Sequence, residues 1–101
     1  MDKFAYDTLD NFLDAVLRLK TKEECRSFFE DVCTIKELGD MSQRLEVATQ
    51  LKAGRSYQEI SRNTGASTAT ISRVNRCLNY GSGGYGLVLE NSGDTGDNDE
   101  L

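Results

Sequence analysis

Leu9, Phe12, Leu13, Val16 and Leu17 stand at i, i+3, i+4, i+7 and i+8, and Cys25, Phe28, Phe29, Val32 and Cys33 repeat that five-point spacing. Apolar residues at this period share one stripe of an α-helix, whereas a half-buried strand would need them at every second position. The first third of the chain is thereby committed to amphipathic helices, each with a face to bury.

The rest of the chain keeps the same pattern. The first helix is expected over about Asp7 to Leu19. Thr21 and Glu24 form an S/T-x-x-E capping box that opens a second helix, and Thr34 and Glu37 form another that opens a third. The third should run through Leu38, Met41, Leu45, Ala48 and Leu51 and stop at Gly54, with Gly39 breaking its start so that regular helix begins near Asp40. Ser56 and Glu59 box a short fourth helix that Gly65 ends, and Ser67 caps a fifth that continues to about Asn79. The fifth turns Ile71, Val74 and Leu78 inward. In "YGSGGYG" the glycines stop it, and "LVLE" reads as a short strand or an extended arm. The expected fold class is all-α, with one domain over residues 1–89.

At 101 residues the chain buries a modest core, so assembly into an oligomer would help it. It contains no His, which removes Ser-His-Asp and Cys-His nucleophiles, imidazole bases and His-ligated zinc. Cys25, Cys33 and Cys77 form no C-x-x-C pair. Cys25 and Cys33 would lie about 12 Å apart along a helix, too far to bridge, so three free buried thiols in a reducing compartment are expected. No enzyme activity, metal or cofactor is expected. No apolar run reaches membrane-spanning length and the N-terminus has no signal-peptide pattern, so the expected location is the cytoplasm, away from membranes.

Net charge is −5, unevenly spread. Residues 1–40 carry ten acidic and six basic side chains, net −4. Residues 41–89 carry two acidic (Glu46, Glu59) and six basic (Arg44, Lys52, Arg55, Arg62, Arg73, Arg76), net +4. Residues 90–101 carry five acidic and none basic, net −5. A locally basic segment in an acidic chain points to a polyanion partner. The tail "ENSGDTGDNDEL" should be disordered, as a solubilising segment or as a weak competitor for the basic face.

The basic segment holds a helix-turn-helix pattern over about residues 56–78. Such a pair needs a small residue in the first helix where the second packs (Ser61), a glycine turn (Gly65), apolar residues to join them (Ile60, Ala66, Ile71, Val74), and a second helix with small polar residues near its start. Double-stranded DNA is the partner this points to. Ser67, Thr68, Ala69, Thr70 and Ser72 are candidate base-edge and methyl readers. Arg62 and Arg76 are candidate phosphate contacts, while Gln58 and Ser61 reach the backbone or a groove edge. For each hydroxyl the bland alternative is a helix cap or a solvent-facing side chain.

The stretches "TIKELGDMSQRLEVATQLKAGRSYQEIS" and "GASTATISRVNRCLNYGSGGY" resemble the Trp repressor superfamily, and residues 1–89 resemble its YerC/YecD-type branch. The resemblance implies a Trp repressor-like helical bundle, an intertwined homodimer whose N-terminal helices cross between subunits, and repression by occupying a two-fold operator. It also implies a corepressor site, carried over to Arg44, Arg73 and Thr34. Two departures argue against tryptophan there: Val74 stands where the family has a glycine against the indole, and the glycine stretch stands in place of the repressor's final helix. Arg73 is then free for DNA. Two other readings stay open: a helical dimerisation or protein-interaction module, and a regulator needing a ligand other than tryptophan.

Overall fold

The computed structural model of the protein describes residues 2–89, and all its regular elements there are helical. The acidic tail, residues 90–101, lies outside the described residues. The helices are α1 (Lys3–Val16), α2 (Lys22–Val32), α3 (Ile35–Lys52), α4 (Tyr57–Thr64) and α5 (Thr68–Tyr80). The chain divides between Leu38 and Gly39 into two compact units.

In the first unit, α1 begins four residues earlier than its apolar stripe suggests. Asp2 is the cap: its carboxylate accepts from the Ala5 N–H at 2.9 Å, and Lys3 pairs with Asp7 at 3.1 Å one turn on. Thr21 caps α2 by accepting from the Glu24 N–H at 3.0 Å, and Glu24 reaches back to the Lys20 N–H at 2.8 Å. Phe12, Phe28 and Phe29 form an aromatic cluster with ring centroids 5.3–6.3 Å apart. Neither α1 nor α2 has a fully buried residue.

The Thr34–Glu37 box is complete, with the Glu37 N–H on Thr34 Oγ1 at 3.0 Å and the Thr34 N–H on Glu37 Oε1 at 2.8 Å. From there α3 runs unbroken through Gly39, contrary to the expected break. One internal glycine costs about 1 kcal/mol, too little to interrupt a capped helix of 18 residues. It ends in a Schellman pattern, the Arg55 N–H on the Gln50 carbonyl and the Gly54 N–H on the Leu51 carbonyl.

The second unit has the fully buried core: Val47 and Ala48 of α3, Ile60 of α4, Ala66 of the turn, and Ile71 and Val74 of α5. α5 stops at Tyr80, where Gly81 turns to extended backbone so close to the Cys77 carbonyl that an added Cβ would lie 2.5 Å from its oxygen. The chain then makes a helical turn over residues 84–89 rather than a strand or an arm. Tyr85 and Leu89, four residues apart and so on one face of that helical turn, pack on the core. The three cysteines are free, but none is buried: Cys25 and Cys33 are half-buried and Cys77 is exposed, because neither α2 nor the outer side of α5 is covered among the described residues.

Candidate nucleic-acid interface

Ser56 opens α4 with a full capping box, its Oγ accepting from the Glu59 N–H at 3.1 Å while Glu59 Oε1 accepts from the Ser56 N–H at 3.1 Å. Gly65 ends α4 with φ +78°, a left-handed conformation that costs glycine little and a β-carbon more. Ser67 then caps α5 by accepting from the Thr70 N–H at 3.1 Å.

Polar side chains lock the turn between these helices. Ser61 Oγ donates to the Ala66 carbonyl at 2.8 Å. Thr64 Oγ1 donates to the Ile60 carbonyl at 2.7 Å and accepts from the Ala66 N–H at 3.1 Å. Beneath the turn, Ile60, Ala66, Ile71 and Val74 meet in the core, so the residues expected to knit the pair do so.

Outside this core, Thr68, Ala69, Ser72, Arg73 and Arg76 are exposed on α5, as are Gln58 and Arg62 on α4. Ser67 is exposed but holds the cap, and Thr70 is half-buried, its hydroxyl 3.2 Å from that of Ser67. Ser61 is half-buried, with its proton committed to the turn, which leaves its oxygen only as an acceptor. Of the residues assigned to a corepressor, Thr34 sits in the first unit with its hydroxyl in the α3 capping box, Arg44 is half-buried on α3, and Arg73 is exposed. Val74 is 1% exposed, filled into the helix-pair core.

Among the described residues no ion pair neutralises the charge of this surface. None of Arg44, Lys52, Arg55, Arg62, Arg73 and Arg76 pairs with an acid among the described residues, and all but Arg44 are exposed. The two acids of the segment are otherwise engaged, Glu59 in its capping box and Glu46 with the Gln50 amide at 3.0 Å. The exposed Arg62 of α4, Arg73 and Arg76 of α5 and the short hydroxyl side chains at the start of α5 are a set suited to a phosphate backbone and a groove edge. A separate apolar groove of about 470 Å³ is lined by Leu45, Cys77, Tyr85 and Val88 with Gly81, Ser82 and Gly84.

Sequence reasoning overlooked Val47, which stands beside the buried Ala48 but off the stripe through Met41, Leu45 and Ala48. It also overlooked Gln43 and Gln50, which hydrogen-bond from α3 to the α4–α5 pair. A polar residue beside a buried position carries no periodic signal. Among the described residues no cluster of His, Cys, Asp or Glu could hold a metal ion, and no helix is long and apolar enough to cross a membrane.

A family model described as Trp repressor protein matches residues 7–92. The chain is 51% identical over 90 residues to the uncharacterized protein YerC of Bacillus subtilis, covering 89% of this chain and 86% of that one. It superposes on the crystal structure of a TrpR like protein from Eubacterium eligens with a TM-score of 0.83 at 53% identity, over 86% of this chain and 90% of the other. The crystal structure of a putative Trp repressor from Staphylococcus aureus gives a TM-score of 0.81 at 46% identity, over 85% of this chain and 86% of that one.

Proposed function

The chain belongs to the Trp repressor family, and from that premise we propose that it is a sequence-specific DNA-binding regulator that represses, as a homodimer, by occupying a two-fold operator. The observation that carries this reading is the un-neutralised basic surface of the α4–α5 pair. Arg62 and Arg76 bind phosphates and set the register. Thr68, Ala69, Thr70 and Ser72 face the base edges of the major groove, with Ser67 at the cap and Arg73 free to join them. Gln58 and the Ser61 oxygen serve at the groove edge. Side chains this short favour water-mediated contacts. Such a regulator works in the cytoplasm.

The dimer is supported by what each unit leaves uncovered. Phe4, Leu9 and Leu13 of α1 and Leu17 at its C-cap are 40–80% exposed, as are Met41 and Leu45 on the side of α3 away from Val47. A helix apolar on two faces and buried on one needs a second partner. The groove beside Leu45 and Val88 extends that surface.

Half-buried Arg44, with no acid beside it among the described residues, favours a second reading in which an anionic effector other than tryptophan adjusts the affinity. Val74 argues against tryptophan, since the resemblance puts a glycine beside the indole where this chain has a core side chain 1% exposed.

Selection of duplexes from a random library by the untagged protein at moderate salt, without added ligand, tests the first reading. A two-fold symmetric consensus is expected. Recovery only after a metabolite is added would favour the second. Binding indifferent to sequence, or none at all, would sink both and leave a helical interaction module.

A further inference from the structure

Two glutamines of α3 grip the α4–α5 pair across long stretches of sequence. Gln43 Nε2 donates to the Thr64 carbonyl at 3.1 Å, in a half-buried contact. Thr64 closes α4, so the bond falls on the turn itself, and the same amide nitrogen lies 3.9 Å from where a Cβ on Gly65 would sit. Gln50, seven residues or about two turns further along the same face of α3, accepts from Asn63 Nδ2 at 3.0 Å. The Gln50 amide is itself held by Glu46 at 3.0 Å.

Ser61 and Thr64 already make the α4–α5 turn rigid within itself. The remaining freedom is the tilt of the pair on α3. The apolar core resists separation but is non-directional, so it restrains tilt weakly. A hydrogen bond has a preferred direction and length, so Gln43 and Gln50 supply the angular restraint.

We propose that Gln43, seconded by the Gln50–Asn63 contact, is a positioning residue that sets the tilt of α5 and thereby the base discrimination and half-site spacing of the protein. This rests on the DNA-binding reading above. Ser67, Thr68, Ala69, Thr70 and Ser72 are short and cannot follow a helix that rocks, whereas the long side chains of Arg62 and Arg76 can keep their phosphates. Loss of the restraint therefore costs specificity before it costs affinity for DNA as such. In a dimer the tilt also fixes the separation of the two reading helices, which must match one helical turn of DNA or a multiple.

The test compares the full chain with Gln43→Met, close in shape but without the donor. Each is titrated with the selected operator, with that operator lengthened or shortened by one base pair between half-sites, and with a random duplex. Operator affinity is expected to fall about five- to tenfold, random-duplex affinity to stay within about twofold, and the penalty for altered spacing to shrink. Asn63→Ala should move the same readouts less. Equal losses on all duplexes, or unchanged ratios and spacing preference, would overturn the proposal. A wild-type protein without sequence-selective binding would instead remove the DNA-binding premise. The clamp is then read from NMR exchange of the Gln43 side-chain amide protons. Exchange slower than that of exposed Gln58 supports the clamp, and exchange equally fast overturns it.

Discussion

Ile60 and Phe12 are both large apolar residues on the inner stripe of their helices, yet Ile60 is fully buried and Phe12 is only half-buried. The contrast extends to the units that contain them. The second unit closes a core of six buried residues around Ile60 and Ile71. The first has an aromatic trio and no buried residue, with Leu17 and Ile35 80% and 91% exposed. Both units have strong helical patterns and good caps. What separates them is the number of faces brought together: α3, α4, α5 and the 84–89 turn surround one centre, whereas two helices leave the outer half of each stripe bare. A pair of amphipathic helices is a fragment of a core, and in the reading above a second copy completes it.

That comparison can be broken most directly at its stronger end. Ile71→Ala should destabilise the protein by about 2–5 kcal/mol, read from urea unfolding followed by circular dichroism. A loss below about 1 kcal/mol would mean that the second unit does not depend on its own core. Leu13→Glu probes the weaker end. On an uncovered helix the change would be nearly silent, but at a dimer interface a buried carboxylate should cost about 2–3 kcal/mol. Sedimentation at micromolar concentration should then show half the wild-type mass; an unchanged mass would remove α1 from the interface.

Ser56→Ala asks whether capping is as local as the geometry makes it. It removes the acceptor of the Glu59 N–H and should cost about 1 kcal/mol in urea unfolding, with little effect on assembly. Arg76→Ala should have the smallest effect, visible mainly in DNA titrations. The slope of log affinity against log salt should flatten by about 0.9 for each phosphate that is no longer neutralised, hence about twice that for a dimer. Lys22→Ala, in the acidic first unit, should leave the slope unchanged. Equal effects from both would mean that charge alone, and not the α4–α5 surface, holds DNA.

Much of this was legible in the chain. The capping boxes at Thr34 and Ser56, the cap at Ser67 and the turn at Gly65 are local chemistry, encoded within four residues, and they form as their spacing predicts. Ile60, Ala66, Ile71 and Val74 follow from the same spacing, because a helix pair with a tight turn has few ways to pack. The errors came where one residue's neighbours are distant in sequence. Gly39 stays helical because the caps and packing of a long helix outweigh one weak position. Leu87, Val88 and Leu89 of "LVLE" lie in a helical turn because Tyr85 and Leu89 find the core, which no property of four residues reveals.

The sequence by itself determined the existence of the five helices, most of their caps, the turn of the α4–α5 pair and the sign of its surface charge, since each rests on contacts within a turn or on composition. Only the tertiary structure decided which face of α3 is covered, that Ser61 spends its proton on the turn, and that Gln43 reaches Thr64. Those outcomes depend on groups up to 27 positions apart meeting in space, Val47 with Val74 among them, and the helical period that fixes local structure carries no record of such pairings.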